Sequence, residues 1–305
     1  MSQNHRILLV GHAEQRRSAA FERAAALAMA SSAPLHITVL VEPFMTFPLL
    51  AAELREQIRK SLLNEQQKGW SKEVERLKEK GIDATFSVVW TDDPHEEIIR
   101  HVQEMQPDLL VKDIQREPVL KRAFVTPLDW CLLRECPVPL HLVNDARHPR
   151  PQVVVAAVDP TDPEAQYSGL NDQIITAGAG LATQCSAEFQ LLYVYSNIPA
   201  YMTSAGDTVA GWADVVEELR SALHQSFVDL AEQHGVPPER RHFMVGHPVT
   251  GITEFAEEQQ ADVVVMGRVH RKVLDNLIGS TTETVLYRLS GSVLAIQPKE
   301  RYAGP

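Results

Sequence analysis

Long apolar runs and cysteine are both scarce in this chain of 305 residues. No stretch approaches the ~20 apolar residues of a membrane-spanning helix, and the polar first residues lack the apolar core of a secretory signal. Cys131, Cys136 and Cys185 make an odd count without Cys-x-x-Cys spacing, which argues against a disulfide framework and a structural zinc site. We therefore expect a cytoplasmic protein that does not insert into a membrane.

Positive charge is also in deficit. The sequence has 29 Lys and Arg residues against 40 Asp and Glu residues, which gives a formal net charge of -11. Nucleic acids and anionic lipid surfaces attract proteins through an excess of positive charge. We therefore expect no nucleic-acid partner, although a local basic patch is compatible with this composition.

The motifs of several large enzyme classes are missing. The sequence contains no Walker A loop, no Gly-x-Ser-x-Gly elbow, no His-Glu-x-x-His pair and no Gly-x-Gly-x-x-Gly turn. The 12 histidines are scattered along the chain. We nominate no catalytic residue and no metal ligand, and we do not expect an enzyme of rapid turnover.

What the chain does contain is an internal repeat. Pro94 recurs as Pro248 and Asp108 recurs as Asp262, so the offset is 154 residues in both cases. A repeat of this length fits a duplicated domain. The polar segment 144–152 contains two prolines and is the predicted linker, so we place the first domain at residues 1–145 and the second at 146–305.

Short apolar runs alternate with longer amphipathic segments in both halves. The runs are typical of buried parallel strands, and the segments between them have the apolar spacing of helices. This alternation predicts an α/β fold of two tandem doubly wound domains, each with a five-stranded, mainly parallel sheet. The predicted strands are residues 6–10, 35–41, 84–90, 109–111 and 138–143 in the first half, and 153–158, 188–195, 242–245, 263–266 and 292–296 in the second.

Candidate ligand-binding residues follow the strands of the second half, because ligands of open α/β sheets bind beyond the carboxyl ends of the strands. Asp159 ends the first of these strands, where its carboxylate either accepts hydrogen bonds from a ribose or base or caps the following turn. Gly267 and Gly279-Ser280 flank a loop whose N–H groups suit phosphate, but Ser280 with Glu283 also fits a capping box without any ligand. The residues leave both alternatives open.

Taken together, these residues resemble the universal stress protein family. The pattern consists of Asp159-Pro160, Gly246-x-Pro248, Asp262-Val-Val-Val-Met-Gly267 and Gly279-Ser280. In the first half, Val88-Val-Trp90 and Thr126-Pro-Leu-Asp-Trp130 resemble tandem-domain members, and the resemblance covers nearly the whole chain. It implies the adenine nucleotide alpha hydrolase-like fold of the family and a role in the stress response.

The resemblance also implies a ligand and partners. ATP or AMP is the implied ligand, with Mg²⁺ accompanying the nucleotide, and unknown regulatory proteins are the implied partners. The last strands, residues 138–143 and 292–296, are expected to pair the two domains within one chain, and two chains are expected to form a homodimer. The implied nucleotide-binding residues are Asp159, Val194, Gly267, Arg268, His270, Gly279, Ser280 and Thr281.

The second half departs from the phosphate loop of the family, which has Gly, two residues, Gly, nine residues and then Gly-Ser or Gly-Thr. His270 stands in place of the second glycine, and eight residues separate it from Gly279. The imidazole either obstructs the approach of phosphate to the backbone or, with Arg268 and Arg271, contacts phosphate through its side chain. The sequence therefore predicts weak or absent ATP binding in the second domain.

The first half departs further from the family pattern. An acidic residue and a β-branched residue replace two of its glycines, and both should repel or block phosphate. Gly11-His12 also replaces the Asp-Pro that ends the opening strand of the second half. We therefore predict that the first domain has lost its ligand site. The residues that stand 154 positions before Gly267, His270 and Gly279-Ser280 are Asp113, Arg116 and Val125-Thr126.

The sequence thus predicts a tandem stress protein that acts as a ligand-responsive or partner-binding module. One alternative is a slow ATP hydrolase, for which Asp159 is the acid best placed to activate water beside Mg²⁺. Another is a binder of an apolar, lipid-like ligand, because residues 43–50 form an apolar loop that either lines a cleft or covers the core.

Overall fold

The computed structural model describes residues 6–44, 46–114, 127–195, 212–268 and 281–298. The chain divides into two compact units, Met1–Arg150 with Gly291–Val293, and Pro151–Ser290 with Leu294–Pro305. The division between Arg150 and Pro151 falls inside the segment 144–152 that the sequence marks as the linker. No helix in these described ranges is long and apolar enough to cross a bilayer.

The first unit is a sheet of five strands in the order β3-β2-β1-β4-β5. All four pairings between neighbouring strands are parallel. A 3-10 turn, Phe47–Leu49, precedes the longest helix. The elements are β1 (Ile7–His12), α1 (Ala19–Ser31), β2 (Leu35–Val41), α2 (Ala52–Glu79), β3 (Ala84–Trp90), α3 (Pro94–Met105), β4 (Leu109–Asp113), α4 (Leu128–Glu135) and β5 (Leu140–Val143).

The second unit repeats this order as β10-β9-β6-β7-β8. β6 pairs in parallel with both β7 and β9, and β7 pairs in parallel with β8. The elements are β6 (Val153–Ala157), α5 (Pro163–Ser168), α6 (Leu170–Cys185), β7 (Glu188–Tyr195), α7 (Trp212–Gln233), β8 (Arg241–Val245), α8 (Pro248–Glu258), β9 (Val263–Gly267), α9 (Thr281–Leu286) and β10 (Ser292–Ile296).

The predicted fold class is confirmed, and the strand boundaries differ from the predicted ranges by up to two residues. β5 begins at Leu140 and not at residue 138, because Pro139 has no N–H to donate to the strand ladder. α9 ends at Leu286, where Arg288 and Leu289 both donate their backbone N–H to the carbonyl of Val285. Tight turns of this kind close a helix that the apolar spacing alone would extend.

A buried ion pair joins β4 to α4 in the first unit. Lys112 Nζ lies 2.9 Å from Asp129 Oδ1 and 2.8 Å from the carbonyl oxygen of Asp113, to which it also donates. Both side chains are almost fully buried, at 4% and 0% exposure. Water therefore screens neither charge, and each charge depends on its partner. The sequence shows the acid in the Thr-Pro-x-Asp-Trp stretch, but nothing in that stretch indicates its partner.

We predict that Asp129→Ala destabilises the first unit by about 3–5 kcal/mol, because it leaves the Lys112 ammonium buried without its carboxylate. Adding Lys112→Met should recover part of the loss, since Met266 occupies the corresponding position of the second unit. Urea unfolding followed by circular dichroism measures both effects. Glu104→Ala, which removes an exposed partner of Arg100, is the control and should cost under about 1 kcal/mol. An equally small loss of stability for Asp129→Ala, under about 1 kcal/mol, would contradict the prediction.

Candidate functional site

The crevice of the second unit lies at the carboxyl ends of β6 and β9. Within the sheet, β7 and β8 lie on one side of β6, whereas β9 and β10 lie on its other side. The connections therefore diverge between β6 and β9, which is where ligands of open α/β sheets bind. Asp159 follows β6, and Gly267 and Arg268 end and follow β9. The fold thus brings three of the predicted site residues to one edge.

Asp159 is held in a fixed turn while its carboxylate stays exposed. Oδ1 accepts hydrogen bonds from the backbone N–H of Thr161 at 3.0 Å and from its hydroxyl at 2.7 Å. The side chain of Asn171 in turn accepts from the Asp159 N–H at 3.1 Å and donates to the Asp159 carbonyl at 2.7 Å. The turn-capping alternative is therefore realised, and it leaves an acceptor at the crevice.

Two hydroxyl groups extend this polar cluster. Thr161 Oγ1 lies 3.2 Å from the hydroxyl oxygen of Tyr193 on β7. Burial raises the pKa of the Tyr193 hydroxyl, and the neighbouring Asp159 carboxylate also raises it, so the phenol stays protonated at neutral pH. Asp159 and Thr161 are exposed and present a carboxylate and a hydroxyl group of the kind that a ribose or a base can bond, whereas Tyr193 is 2% exposed and contacts the cluster through Thr161.

Three members of this cluster, Thr161, Asn171 and Tyr193, are not among the site residues predicted from the sequence. The Asp-x-Thr spacing of Asp159 and Thr161 is a recognisable turn signal, so the contact between these two residues could have been predicted from the sequence. Asn171 contacts Asp159 from 12 residues away, and Tyr193 arrives on a neighbouring strand. No local pattern indicates either contact, because both depend on how α6 and β7 pack beside β6.

Val194 contributes its side chain to the interior of the unit. It is buried on β7, and a Cβ added to Gly251 of α8 would lie 2.6 Å from its Cγ1. The valine side chain therefore packs under α8. A contact between Val194 and a ligand would have to come from its backbone.

Gly267 has a packing role that its sequence context does not indicate. A Cβ at this position would lie 2.6 Å from Leu170 Cδ2 and 3.2 Å from Ile174 Cδ1, both on α6. Its carbonyl oxygen accepts a hydrogen bond of 2.8 Å from the hydroxyl of Thr282. The glycine therefore allows α6 to approach β9, and α9 is fastened to its backbone.

Arg268 points its guanidinium into the protein. The residue is 4% exposed, its backbone N–H donates to the carbonyl of Ile296 at 2.8 Å, and Nη2 lies 3.4 Å from Gln297 Oε1. A phosphate contact through this side chain, as the sequence suggested, would require it to leave this buried position.

Thr281 begins α9 and is exposed. His270, Gly279 and Ser280 lie outside the described residues, as do Arg271 and the first-half positions Arg116, Val125 and Thr126. Glu283 is described and is buried. It stands 154 residues after Asp129, so the two units place an acid at the same point of their last helix.

The corresponding edge of the first unit has different occupants. Asp113, at the end of β4, accepts a 2.8 Å hydrogen bond from the backbone N–H of Ala20 at the start of α1. A Cβ added to Gly11, near the end of β1, would lie 3.0 Å from Cζ2 of the fully buried Trp70. A protein carboxylate therefore uses the N-terminus of α1, and an indole ring fills the space beneath the end of β1.

Metal-binding groups are sparse in the described ranges. Within them, no group of three or more His, Cys, Asp or Glu residues could hold a metal ion. Asp159 already accepts two hydrogen bonds from Thr161 through Oδ1.

We predict that Gly267→Ala destabilises the second unit by about 1–3 kcal/mol without any ligand, because the new methyl group overpacks Leu170. Gly180→Ala on α6 is the matched control. Nothing lies within 4 Å of its added Cβ, so it should be neutral or stabilising by up to about 1 kcal/mol. Thermal unfolding of the unliganded protein compares the two. Equal unfolding midpoints for both variants would show that Gly267 has no packing role.

The sequence pattern described as "Universal stress protein family" matches residues 4–144 and again residues 152–297. Two curated relatives carry related names. A Universal stress protein E homolog of Haemophilus influenzae is 25% identical over 257 residues, covering 83% of this chain and 82% of the relative. Universal stress protein E of Photorhabdus laumondii is 29% identical over 257 residues, covering 82% and 80%.

Solved structures give the same result for the fold. A Pseudomonas aeruginosa protein described as functionally unknown superposes with a TM-score of 0.72 at 25% identity, covering 98% of this chain and 95% of that one. A universal stress protein of Archaeoglobus fulgidus superposes with a TM-score of 0.64 at 16% identity, covering 98% of each chain. From the two family matches and this agreement in fold, the chain belongs to the universal stress protein family, with one copy of the family domain in each half.

Proposed function

We propose that the second unit binds an adenine nucleotide, ATP or AMP, with low affinity, and that the tandem protein serves the stress response as a ligand-responsive module. The observation that carries the proposal is the exposed carboxylate of Asp159, held by Asn171 and Thr161 at the divergence of β6 and β9. A fixed acceptor at this edge suits the hydroxyl groups of a ribose.

The proposal assigns roles to a few residues. Asp159 accepts hydrogen bonds from the ribose or base, Thr161 supplies a hydroxyl group beside it, and the buried Tyr193 hydroxyl holds Thr161 in position. Gly267 lets α6 pack against the end of β9 and so shapes the crevice, and Thr281 offers a hydroxyl at the start of α9. Since Arg268 is buried, we assign the phosphate contacts to residues 270–271 and 279–280. Mg²⁺ enters only with the phosphates of the nucleotide.

The first unit is proposed to bind no nucleotide. The Asp113 carboxylate takes the Ala20 N–H that an anionic ligand would otherwise use, and a second anion beside it would meet its negative charge. Trp70 occupies the space under Gly11. This asymmetry leaves the first unit available for contacts with other proteins.

We also propose that the two domains pair within one chain and that chains associate with each other and with regulatory proteins. A covalent link between two homologous domains raises their effective concentration, so pairing needs no additional contact to be stable. A nucleotide in the second unit would then modulate a preformed assembly. Binding, and not turnover, is the proposed activity.

Asp159→Ala tests the carboxylate directly. We expect ATP and AMP to bind the full chain about 10–100-fold more weakly after this change, because a charge-assisted hydrogen bond to the ribose is lost. Isothermal titration calorimetry gives the dissociation constants. Asp229→Ala removes the same charge from the exposed face of α7 and should leave them unchanged. An unaltered affinity in Asp159→Ala would remove Asp159 from the site.

His270 gives the binding a predicted pH dependence. If its imidazole contacts phosphate, affinity for ATP rises as the pH falls through its reference pKa of ~6.5, because the protonated ring adds positive charge. His270→Gly should then bind ATP more weakly below that pH and lose the pH dependence. Calorimetric ATP dissociation constants of both proteins, measured above and below that pH, distinguish the two roles of the imidazole. Tighter binding by His270→Gly would show that the imidazole obstructs the loop, and tight, pH-independent binding by the natural chain would contradict the proposed weak site.

A further inference from the structure

A cleft of the first unit lies away from the crevice discussed above. It has a volume of about 230 Å³ and is lined by Phe47, Ala52, Arg55, Glu56, Arg59 and Trp90. The Phe47 and Trp90 rings are 5.1 Å apart, and the Arg59 guanidinium lies 5.9 Å from the centre of the Trp90 ring. We call this feature the α2 cleft. Of the apolar loop at residues 43–50, Phe47 lines this cleft.

The α2 cleft is small for a metabolite site. Pockets for small molecules typically enclose roughly 300–1,000 Å³, whereas anchor pockets at protein interfaces accept single side chains and favour Trp and Arg. Apolar groups continue beyond the rim. Phe44 packs edge-on against Phe47 at 5.4 Å, and Leu49 in the same turn is 83% exposed. The cleft therefore has the size and surroundings of a protein-docking surface.

The electrostatics of the α2 cleft are positive in a chain whose net charge is -11. Arg55 and Arg59 are exposed, and neither has an acidic partner among the described residues. Glu56 is the one acid in the lining, and Lys60 pairs with it at 3.4 Å. The cleft also lies in the first two turns of α2, where the helix dipole adds positive potential. Its occupant should be both acidic and apolar.

The second unit carries a surface of that chemistry on α7. Val215 and Leu219 are 51% and 44% exposed, and their spacing of four residues places them on one stripe. Asp214 and Glu218 are exposed beside that stripe, and the described chain provides no ion pair for either. We call these four residues the α7 acidic face.

The two surfaces match in spacing as well as in charge. Arg55 and Arg59 are four residues apart on α2, and Asp214 and Glu218 are four residues apart on α7. Residues with this spacing are about 6 Å apart on a helix, so two guanidinium groups can face two carboxylates at once. Val215 and Leu219 then lie against Phe47 and Trp90. Both arginines and all four residues of the α7 acidic face are exposed, and Phe47 and Trp90 are half-buried.

We infer that the α2 cleft of one chain binds the α7 acidic face of a second copy, with Arg55 and Arg59 opposite Asp214 and Glu218. Each chain carries both surfaces. A two-fold pair of chains would use one such contact in each direction. The contact uses none of the residues assigned to the nucleotide, so it stands or fails independently of that proposal.

Charge reversal tests the contact, because a reversed charge on one surface can be compensated by the opposite reversal on the other. Sedimentation velocity of the natural full-length chain should show a concentration-dependent dimer that weakens with added salt. Arg55→Glu with Arg59→Glu, and separately Asp214→Arg with Glu218→Arg, should each raise the dimer dissociation constant at least about tenfold, because like charges then face each other. An equimolar mixture of the two variants should form a mixed dimer of nearly natural affinity.

Lys68→Glu with Lys72→Glu is the matched control. It makes the same change of charge on exposed residues of the same helix, about 20 Å from the cleft, and should leave the dimer intact. Circular dichroism of each variant confirms that it is folded. A natural chain that stays monomeric at all concentrations, dimers that persist in both variants, or a mixture that fails to associate would each overturn the inference.

Discussion

The parallel pairing of β6 with both β7 and β9 is the constraint on which the candidate site depends. Because the connections that follow β6 and β9 run in opposite directions along the sheet, a crevice forms at the carboxyl ends of these two strands. Asp159 stands at this opening, and Asn171 fixes its backbone through two hydrogen bonds. The buried strands and α6 thus determine where the exposed carboxylate lies, before any ligand is present.

The two units show how one framework reaches two chemical outcomes. Both units have the same strand order, and in both the connections between strands diverge at the same point of the sheet. The acidic groups at that point have different partners in the two units. In the first unit Asp113 bonds to the N–H of Ala20, so the carboxylate is part of the fold. In the second unit Asp159 remains exposed. If the second unit binds nucleotide as we propose, duplication has let one copy keep a ligand site that the other lacks.

Much of the framework could be predicted from sequence, because the repeat and the buried apolar runs reflect local patterns. The position of Asp159 after a strand was predictable for the same reason. The burial of Arg268 was not, since the partner Gln297 lies 29 residues away and no local pattern reveals it. The packing role of Gly267 likewise depends on α6, which lies nearly 100 residues earlier. What remained out of reach was in each case a contact between distant segments.

Amide hydrogen exchange of the full chain with and without ATP tests the central claim, which is that one unit binds nucleotide and the other does not. A ligand protects the amides that it orders or bonds. The account predicts slower exchange around Asp159–Thr161 and Gly267–Arg268, and no change around Gly11 and Asp113. Protection confined to the first unit would contradict it.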